Sequence, residues 1–496
     1  MAETTKELGT SFSPEARESA GKKEPMSISS GKNTFIVCRN SQGLEFRATL
    51  LRLTRYTVVF EVYNPYSILQ LGEVLSDFKM IMNDRMVYSG RAVVSNLVNT
   101  GILLVCECTL EEHWLDVDLF TSIHQKDKLQ DEFTEFLQEW GKIKHVTDDF
   151  KVVIADMQAF LMDMRRWLEQ VELSIRSEPS GDRTQMERNV ILELKDPISP
   201  TVQSLFERFE ETASRIPDEL QSIHRTYARR QMHPIILCSP FVYRSYQKPL
   251  GYAGDYEMIN MMLRDPFEGG SLFAKILNTF FLNTPPCLAH RNRIKYLTRK
   301  LKEESERAAR EKRSARILNM GCGPAKEIQD FLTEEECSTQ AQIVLMDFND
   351  ETLEFTGKAV EQLKKRHQRN TSIKLVKKSV HTILKESFHS VERSDAPAYD
   401  LIYCAGLFDY LEDRICKRLM DYFYNYLAPG GLLLATNVTP TNPIRNILEG
   451  LLEWPMVYRD RTQMAILKPE KAPQEAVDIY TEETGVNIFI EVRRPQ

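Results

Sequence analysis

The residues with the clearest chemical potential lie between Asn319 and Tyr410. Ile317, Leu318 and Met320 form a short apolar run, Gly321-Cys322-Gly323-Pro324 breaks it, and Ala325–Leu332 has the texture of a helix. Strand, glycine turn and helix together offer backbone N–H groups and a helix N-terminus to a ligand. Gly321 and Gly323 allow a sharp turn and a close approach that a Cβ would block. Pro324 suits the first helical position, where its missing N–H is not needed. A second apolar run, Gln342–Met346, ends in Asp347. An acid about 20 to 25 positions past such glycines, at the tip of the next strand, is placed to accept both hydroxyls of a ribose. A Gly-x-Gly turn alone is weak evidence, and the acid strengthens it.

Further elements must hold these residues. A third strand, Ile373–Val376, leads to Lys377-Lys378-Ser379-Val380-His381, and a fourth, Tyr399–Cys404, opens into Ala405-Gly406-Leu407-Phe408-Asp409-Tyr410. A helix over Arg414–Leu427, the turn Ala428-Pro429-Gly430-Gly431 and a strand over Leu432–Thr436 follow. From about Pro285 onward this succession resembles the class I S-adenosylmethionine-dependent methyltransferases. The resemblance implies a Rossmann-like, doubly wound domain with S-adenosylmethionine as cofactor. It implies that Asn319, Gly321, Cys322 and Gly323 meet the methionine end. Asp347, with Phe348 beside it, would take the ribose, and Ser379 and Val380 would flank the adenine. Cys404, Ala405 and Gly406 would face cofactor and substrate. Three positions depart from the pattern: Asn319 stands where an acid is common, Pro324-Ala325 where a further glycine is usual, and Ser379 where Asp is frequent. A nicotinamide dehydrogenase would instead prefer Gly-x-Gly-x-x-Gly.

Before this core, Leu250-Gly-Tyr-Ala-Gly-Asp-Tyr-Glu-Met-Ile259 gathers two glycines, two tyrosines and two acids. It reads either as a helix start capped by Asp255 over a packed Tyr252, or as a lid whose Tyr252, Asp255 and Tyr256 shape a pocket. Phe273–Phe281 is an apolar helix, and Pro285-Pro286 opens another that runs through a charged stretch to Arg316. Its charges read as a solvated face. Arg291 and Arg293 offer a bidentate fork to a carboxylate of substrate or cofactor, a surface position being favoured for Arg293. Methyl transfer to a carboxylate needs no base, because the acceptor is already ionised at neutral pH. A hydroxyl or amine acceptor needs one within hydrogen-bond reach. Asp409 and Tyr410 are the catalytic candidates, with His381 and Asp255 behind them.

A chain of 496 residues holds two or three domains. Charged residues make up 27% and hydrophobic ones 42%, the balance of a soluble globular protein. The net charge of −7 argues against a general nucleic-acid partner. No apolar run is long enough to cross a membrane and no signal-peptide core opens the chain, which points to the cytoplasm. The nine cysteines form no C-x-x-C pair, so reduced, buried thiols and no metal site are expected.

Residues 1–33 are polar and low in apolar anchors, the composition of a disordered tail. From 34 to 115 short β-type runs (Thr34–Cys38, Glu45–Leu53, Tyr56–Tyr63, Phe78–Met82, Met86–Val94, Ile102–Thr109) predict a small antiparallel barrel. Gly90–Leu104 resembles the PilZ family of cyclic di-GMP-binding barrels. Val98 replaces that family's serine, however, and Arg52 and Arg55 sit one residue too close, so a shell without the nucleotide is implied. Residues 116–248 switch to a 3.6-residue period: Phe133, Phe136, Leu137 and Trp140, then Met157 through Ile175, then a helix from Val202 and one around Leu220–Arg230. Their apolar stripe is read as packed core, with a homodimer interface as the alternative. Residues 249–316 form the lid and pre-core helices, and 317–496 the Rossmann-like domain. Taken together, the chain resembles bacterial proteins of 3-hydroxypalmitic acid methyl ester biosynthesis, the PhcB-type quorum-sensing signal methyltransferases. That implies carboxyl O-methylation of a fatty acid or other small acid. Two alternatives stay open: methylation of a protein side chain, and a nucleotide-sensing regulator that binds the cofactor without turnover.

Overall fold

The computed structural model describes residues 35–41, 43, 45–53, 57–63, 69–82, 85–99, 103–110, 134, 145–178, 182–389 and 398–496. The expected tail over 1–33, the expected helical residues Phe133, Phe136, Leu137 and Trp140, and Arg55 lie outside them.

Six strands, β1 (Phe35–Arg39), β2 (Glu45–Leu53), β3 (Thr57–Tyr63), β4 (Val74–Met82), β5 (Arg85–Asn99) and β6 (Leu103–Leu110), close into an antiparallel barrel of order β1-β2-β3-β6-β5-β4. Alternation drives closure: Ile36, Cys38, Val58, Phe60, Leu104, Cys106 and Cys108 all point inward. The Sγ atoms of Cys106 and Cys108, on the same face of one strand, lie 3.4 Å apart in the core. β5 runs five residues further than the expected Val94, because Asn96–Asn99 continue to pair with β6.

In the helical region α1 (Asp148–Ser177) packs against α2 (Arg183–Ser214) and α3 (Asp218–Ile236). Met157, Leu161, Met164 and Leu168 on α1 are buried in the shared core. α2 starts nineteen residues before the expected Val202 and runs through Pro197 and Pro200. Asp182 caps it, accepting from Thr184 N and Gln185 N, and Ile191, Val202 and Phe209 are buried along it, so packing overrides the helix-breaking prolines. α4 (Pro240–Gln247), α5 (Tyr256–Leu263), α6 (Leu272–Leu282) and α7 (Pro285–Arg310) complete the helices before the sheet. α7 stops at Arg310, short of Arg316. Its charges are not all solvated: Glu304 is buried and paired with Arg307 and Arg493, and Arg307 reaches the buried Asp400. No described helix is long and apolar enough to cross a membrane.

The C-terminal sheet comprises β7 (Arg316–Met320), β8 (Gln342–Asp347), β9 (Ser372–Lys377), β10 (Tyr399–Cys404), β11 (Leu427–Val438), β12 (Val477–Thr481) and β13 (Asn487–Arg493), in the order β12-β13-β11-β10-β7-β8-β9. β7 to β11 pair in parallel, while β13 and β12 run antiparallel. β7 is flanked by β8 and β10, so the strand order reverses there, and a crevice opens at the carboxyl ends of β7 and β10. The Pro-Gly-Gly segment is a bulge inside β11 rather than a turn before it. Leu427 pairs with Tyr399 and Leu432 with Leu401, and a Cβ on Gly431 would stand 2.7 Å from the Tyr399 carbonyl oxygen.

Candidate functional site

A cavity of about 140 Å³ occupies this crevice. Its floor is the turn after β7. Gly321 and Gly323 have φ of +67° and +51°, and a Cβ on Gly323 would meet nothing within 4 Å, so the bare backbone borders open space. The helix α8 (Lys326–Glu334) begins later than expected. Ala325, at φ 48°, is its left-handed cap residue, which leaves Pro324 in the turn rather than at the first helical position.

Asp347, at the tip of β8, is buried, and its two oxygens accept from Gly323 N and Asn349 N, each at 3.1 Å. Burial raises its pKa, and these backbone bonds oppose the rise. It ties the glycine turn to the second strand. Phe348 beside it meets the Tyr252 ring, with centroids 5.3 Å apart. Tyr256 packs on Phe355 and donates to Glu351 at 2.8 Å.

Asn319, at the position where an acid is common, donates at 2.9 Å to Glu327 of α8, which also accepts from the Tyr403 hydroxyl at 2.7 Å. Burial raises the Glu327 pKa, and the Tyr403 bond and Arg293 oppose it. A carboxylate thus stands beside Asn319, supplied by the helix instead of the strand. Across from it, Arg293 of α7 is buried, and its Nη1 has no hydrogen-bond partner. Burial lowers its pKa, while Asp409 and Glu327 work the other way. A Cβ on Gly406 would come within 3.2 Å of that Nη1, so glycine there leaves the guanidinium its place.

Asp409 and Tyr410 form the wall after β10. Asp409 accepts from Val438 N at 2.7 Å, and burial pushes its pKa up to about 6 against the pull of Arg293, the Val438 bond and Arg459. The Tyr410 hydroxyl accepts from Trp454 Nε1 at 2.7 Å. Gly254 packs on both, since a Cβ there would lie 2.8 Å from the hydroxyl and 2.9 Å from the indole. His290 also lines the cavity, but burial, chiefly, lowers its pKa to about 3, so it stays uncharged.

Asn319, Gly321, Cys322, Gly323, Asp347, Phe348, Val380, Ala405, Gly406, Asp409, Tyr410, Tyr252 and Tyr256 all line this cavity. Four candidates do not. Arg291 donates to the carbonyls of Met262 and Leu282, both at 2.8 Å, and clamps the ends of α5 and α6. Asp255 is buried, caps α5 through Met258 N and forms a two-pronged pair with Arg244. Cys404 points into the hydrophobic core beneath the sheet. The Ser379 hydroxyl turns back to Thr382 N, starting the next helix. His381 is absent from the cavity wall as well. Arg293, expected at the surface, is the arginine that lines the cavity. Its signal was the spacing Ala289, Arg293, Leu297, Leu301, a four-residue stripe that is buried throughout. Glu327, Trp454 and Met456 were also missed. Among the described residues no group of three or more His, Cys, Asp or Glu could hold a metal ion.

Residues 289–470 match the model of a family described as a methyltransferase domain. Over these residues the chain is similar to a methyltransferase domain. The residues fit S-adenosylmethionine, the cofactor that the sequence resemblance implies, on two observations: the unpartnered Arg293 Nη1 and the open space over Gly323. No curated protein matches the chain. Among solved structures it is similar to a possible exported protein of Bordetella parapertussis, at 18% identity and a TM-score of 0.39, over 51% of this chain and 86% of that one. It is also similar to the N-methyltransferase NodS of Bradyrhizobium japonicum in complex with S-adenosyl-L-homocysteine, at 17% identity and a TM-score of 0.29, over 51% and 100%. Magnesium protoporphyrin IX methyltransferase of Synechocystis is similar at 8% identity and a TM-score of 0.33, over 54% and 99%.

The buried Asp409 yields a pH prediction. Its folded pKa of about 6 lies above the ordinary 3.8. The stabilisation from holding its proton is complete below the unfolded value and is lost as pH rises through about 6. Asp409→Asn keeps the acceptor for Val438 N and removes the titration. Relative to the variant, the native protein should lose roughly 2 kcal/mol between pH 4 and 7, read from urea midpoints. Parallel pH profiles for the two proteins would refute it.

Proposed function

We propose that the domain methylates a small acid, with the cofactor's amino-acid end held between Arg293 and Glu327. The observation that carries this reading is the buried, unpartnered guanidinium beside the glycine turn. A buried guanidinium nitrogen without a hydrogen-bond partner is costly, and a ligand carboxylate relieves that cost. Asp347 accepts the ribose hydroxyls, and Val380 and Phe348 border the adenine. When bound, the cofactor supplies an electrophilic methyl on sulfur for in-line displacement. The chain's part is alignment and exclusion of water.

The acceptor's side of the cavity is apolar, lined by Ile259, Trp454 and Met456. Tyr410, with its pKa raised by burial first, keeps its proton and can donate to an acceptor oxygen. These features favour the carboxylate of a fatty or other small acid, including the 3-hydroxy fatty acids that give methyl ester signals. Such an acceptor is already a nucleophile at neutral pH, so Asp409 need not act as a base. Incubating the full chain with methyl-labelled cofactor, 3-hydroxy fatty acids and cell lysate tests this. Label extracting as volatile ester supports it, while label only in protein bands selects a side-chain acceptor. The barrel on this reading does not bind cyclic di-GMP, and micromolar binding by calorimetry would reverse that.

Asp347→Ala should weaken binding of S-adenosylhomocysteine by roughly 1–3 kcal/mol, the cost of leaving buried donors and ribose hydroxyls unpaired. Calorimetry reads it, and an unchanged affinity would remove Asp347 from the ribose site.

A further inference from the structure

One cavity residue comes from the N-terminal barrel. Gln70 lies on the barrel, in the loop Leu69–Val74 between β3 and β4, yet it lines the same cavity as Gly321, Asp347 and Tyr410. The loop is built firmly. Glu73 is buried, and its carboxylate accepts from Ser41 N at 2.8 Å, Ser41 Oγ at 2.5 Å and Gln70 N at 2.7 Å. Gly72 N donates to the Val94 carbonyl at 2.8 Å, and Val94 N returns a bond to Glu73 at 2.9 Å.

The outer side of this loop is seated on the two segments that carry the cavity's far wall. Val74 N donates to the Gly251 carbonyl at 2.5 Å, next to Tyr252. Gly251 in turn sits so close to the barrel that a Cβ would stand 2.9 Å from the Ser41 Cβ. A Cβ on Gly72, at φ +75°, would reach 3.3 Å from the ring of Pro455, between the lining residues Trp454 and Met456. Arg91 adds a bond to the Tyr246 carbonyl at 2.9 Å. Barrel backbone therefore backs both segments, and Gln70 lines the cavity with them.

We propose that the barrel is a working part of the methyl-transfer site: its Leu69–Val74 loop is the outer wall, and Gln70 contacts whatever occupies the cavity. This rests on the cofactor reading above. By linkage, anything that fills the cavity steadies the loop, and anything that unseats the loop loosens the occupant. The barrel is then a positioning device for the reaction rather than an appended sensor.

The test uses the full chain and S-adenosylhomocysteine. Hydrogen exchange in peptides covering 69–74 should slow when it binds, while peptides of β2 on the barrel's other strands stay unchanged. Gln70→Ala should speed its dissociation roughly fivefold, the size of one lost hydrogen bond, without moving the unfolding midpoint of the free protein. Gly72→Val, strained and in collision with Pro455, should speed it on the order of tenfold or more. If the native protein binds S-adenosylhomocysteine but exchange at 69–74 and both dissociation rates are unchanged, the proposal is overturned. If the native protein does not bind it at all, the cofactor reading itself falls.

Discussion

Arg459→Ala should destabilise the methyltransferase domain by about 3–5 kcal/mol, the range for removing one partner from a buried charged network. The Arg459 side chain is fully buried. Its Nη1 donates to the Phe408 carbonyl at 2.7 Å and Asn437 Oδ1 at 2.5 Å, Nη2 to the Leu411 carbonyl at 2.5 Å, and Nε to Asp413 at 2.8 Å. Phe408 and Leu411 bracket Asp409 and Tyr410, so one guanidinium holds the segment leaving β10 in its shape. Alanine leaves those carbonyls dry and unpaired. Arg459→Lys should recover only part, because an ammonium cannot reach four acceptors in a planar fork. Urea unfolding followed by tryptophan fluorescence measures this, and a loss below about 1 kcal/mol would show that the network is not cooperative.

Arg293→Met should cut affinity for S-adenosylhomocysteine by about 100-fold, some 3 kcal/mol, as expected when a buried carboxylate loses its charged partner. The distinguishing feature is the split between binding and stability. Since Arg293 Nη1 has no hydrogen-bond partner in the protein, its removal costs the fold no hydrogen bond at that nitrogen. Arg291→Met should do the reverse. It loses two carbonyl bonds that fasten α5 and α6, so stability falls while the folded variant binds normally. Calorimetry and urea midpoints on the same two variants separate the cases, and matching behaviour by the pair would overturn the assignment of Arg293.

Two residues apart on one helix, these arginines mark the boundary of what local reading reaches. The sequence placed both at the start of α7, and only the four-residue spacing of Ala289, Leu297 and Leu301 marks the side of Arg293 as the packed one. Glu327 shows the same limit: the missing acid at Asn319 looked like a departure, and the fold brings a carboxylate to it from eight residues along. Cys404 and Ser379 fail for a related reason. Each neighbours a residue on the cavity wall, and in a strand or at a helix start the next side chain points elsewhere.

The amino-acid sequence by itself determined the glycine turn, the acid closing the second strand, the six-strand alternation of the barrel and the helical periods, because each depends on neighbours within a few positions. Only the tertiary structure decided which arginine enters the cavity, where the replacement carboxylate comes from, and that a barrel loop forms the outer wall. Those outcomes rest on contacts between groups far apart in the chain, such as Gly72 with Pro455 and Arg293 with Gly406, whose geometry exists only once sheet, helices and barrel have packed.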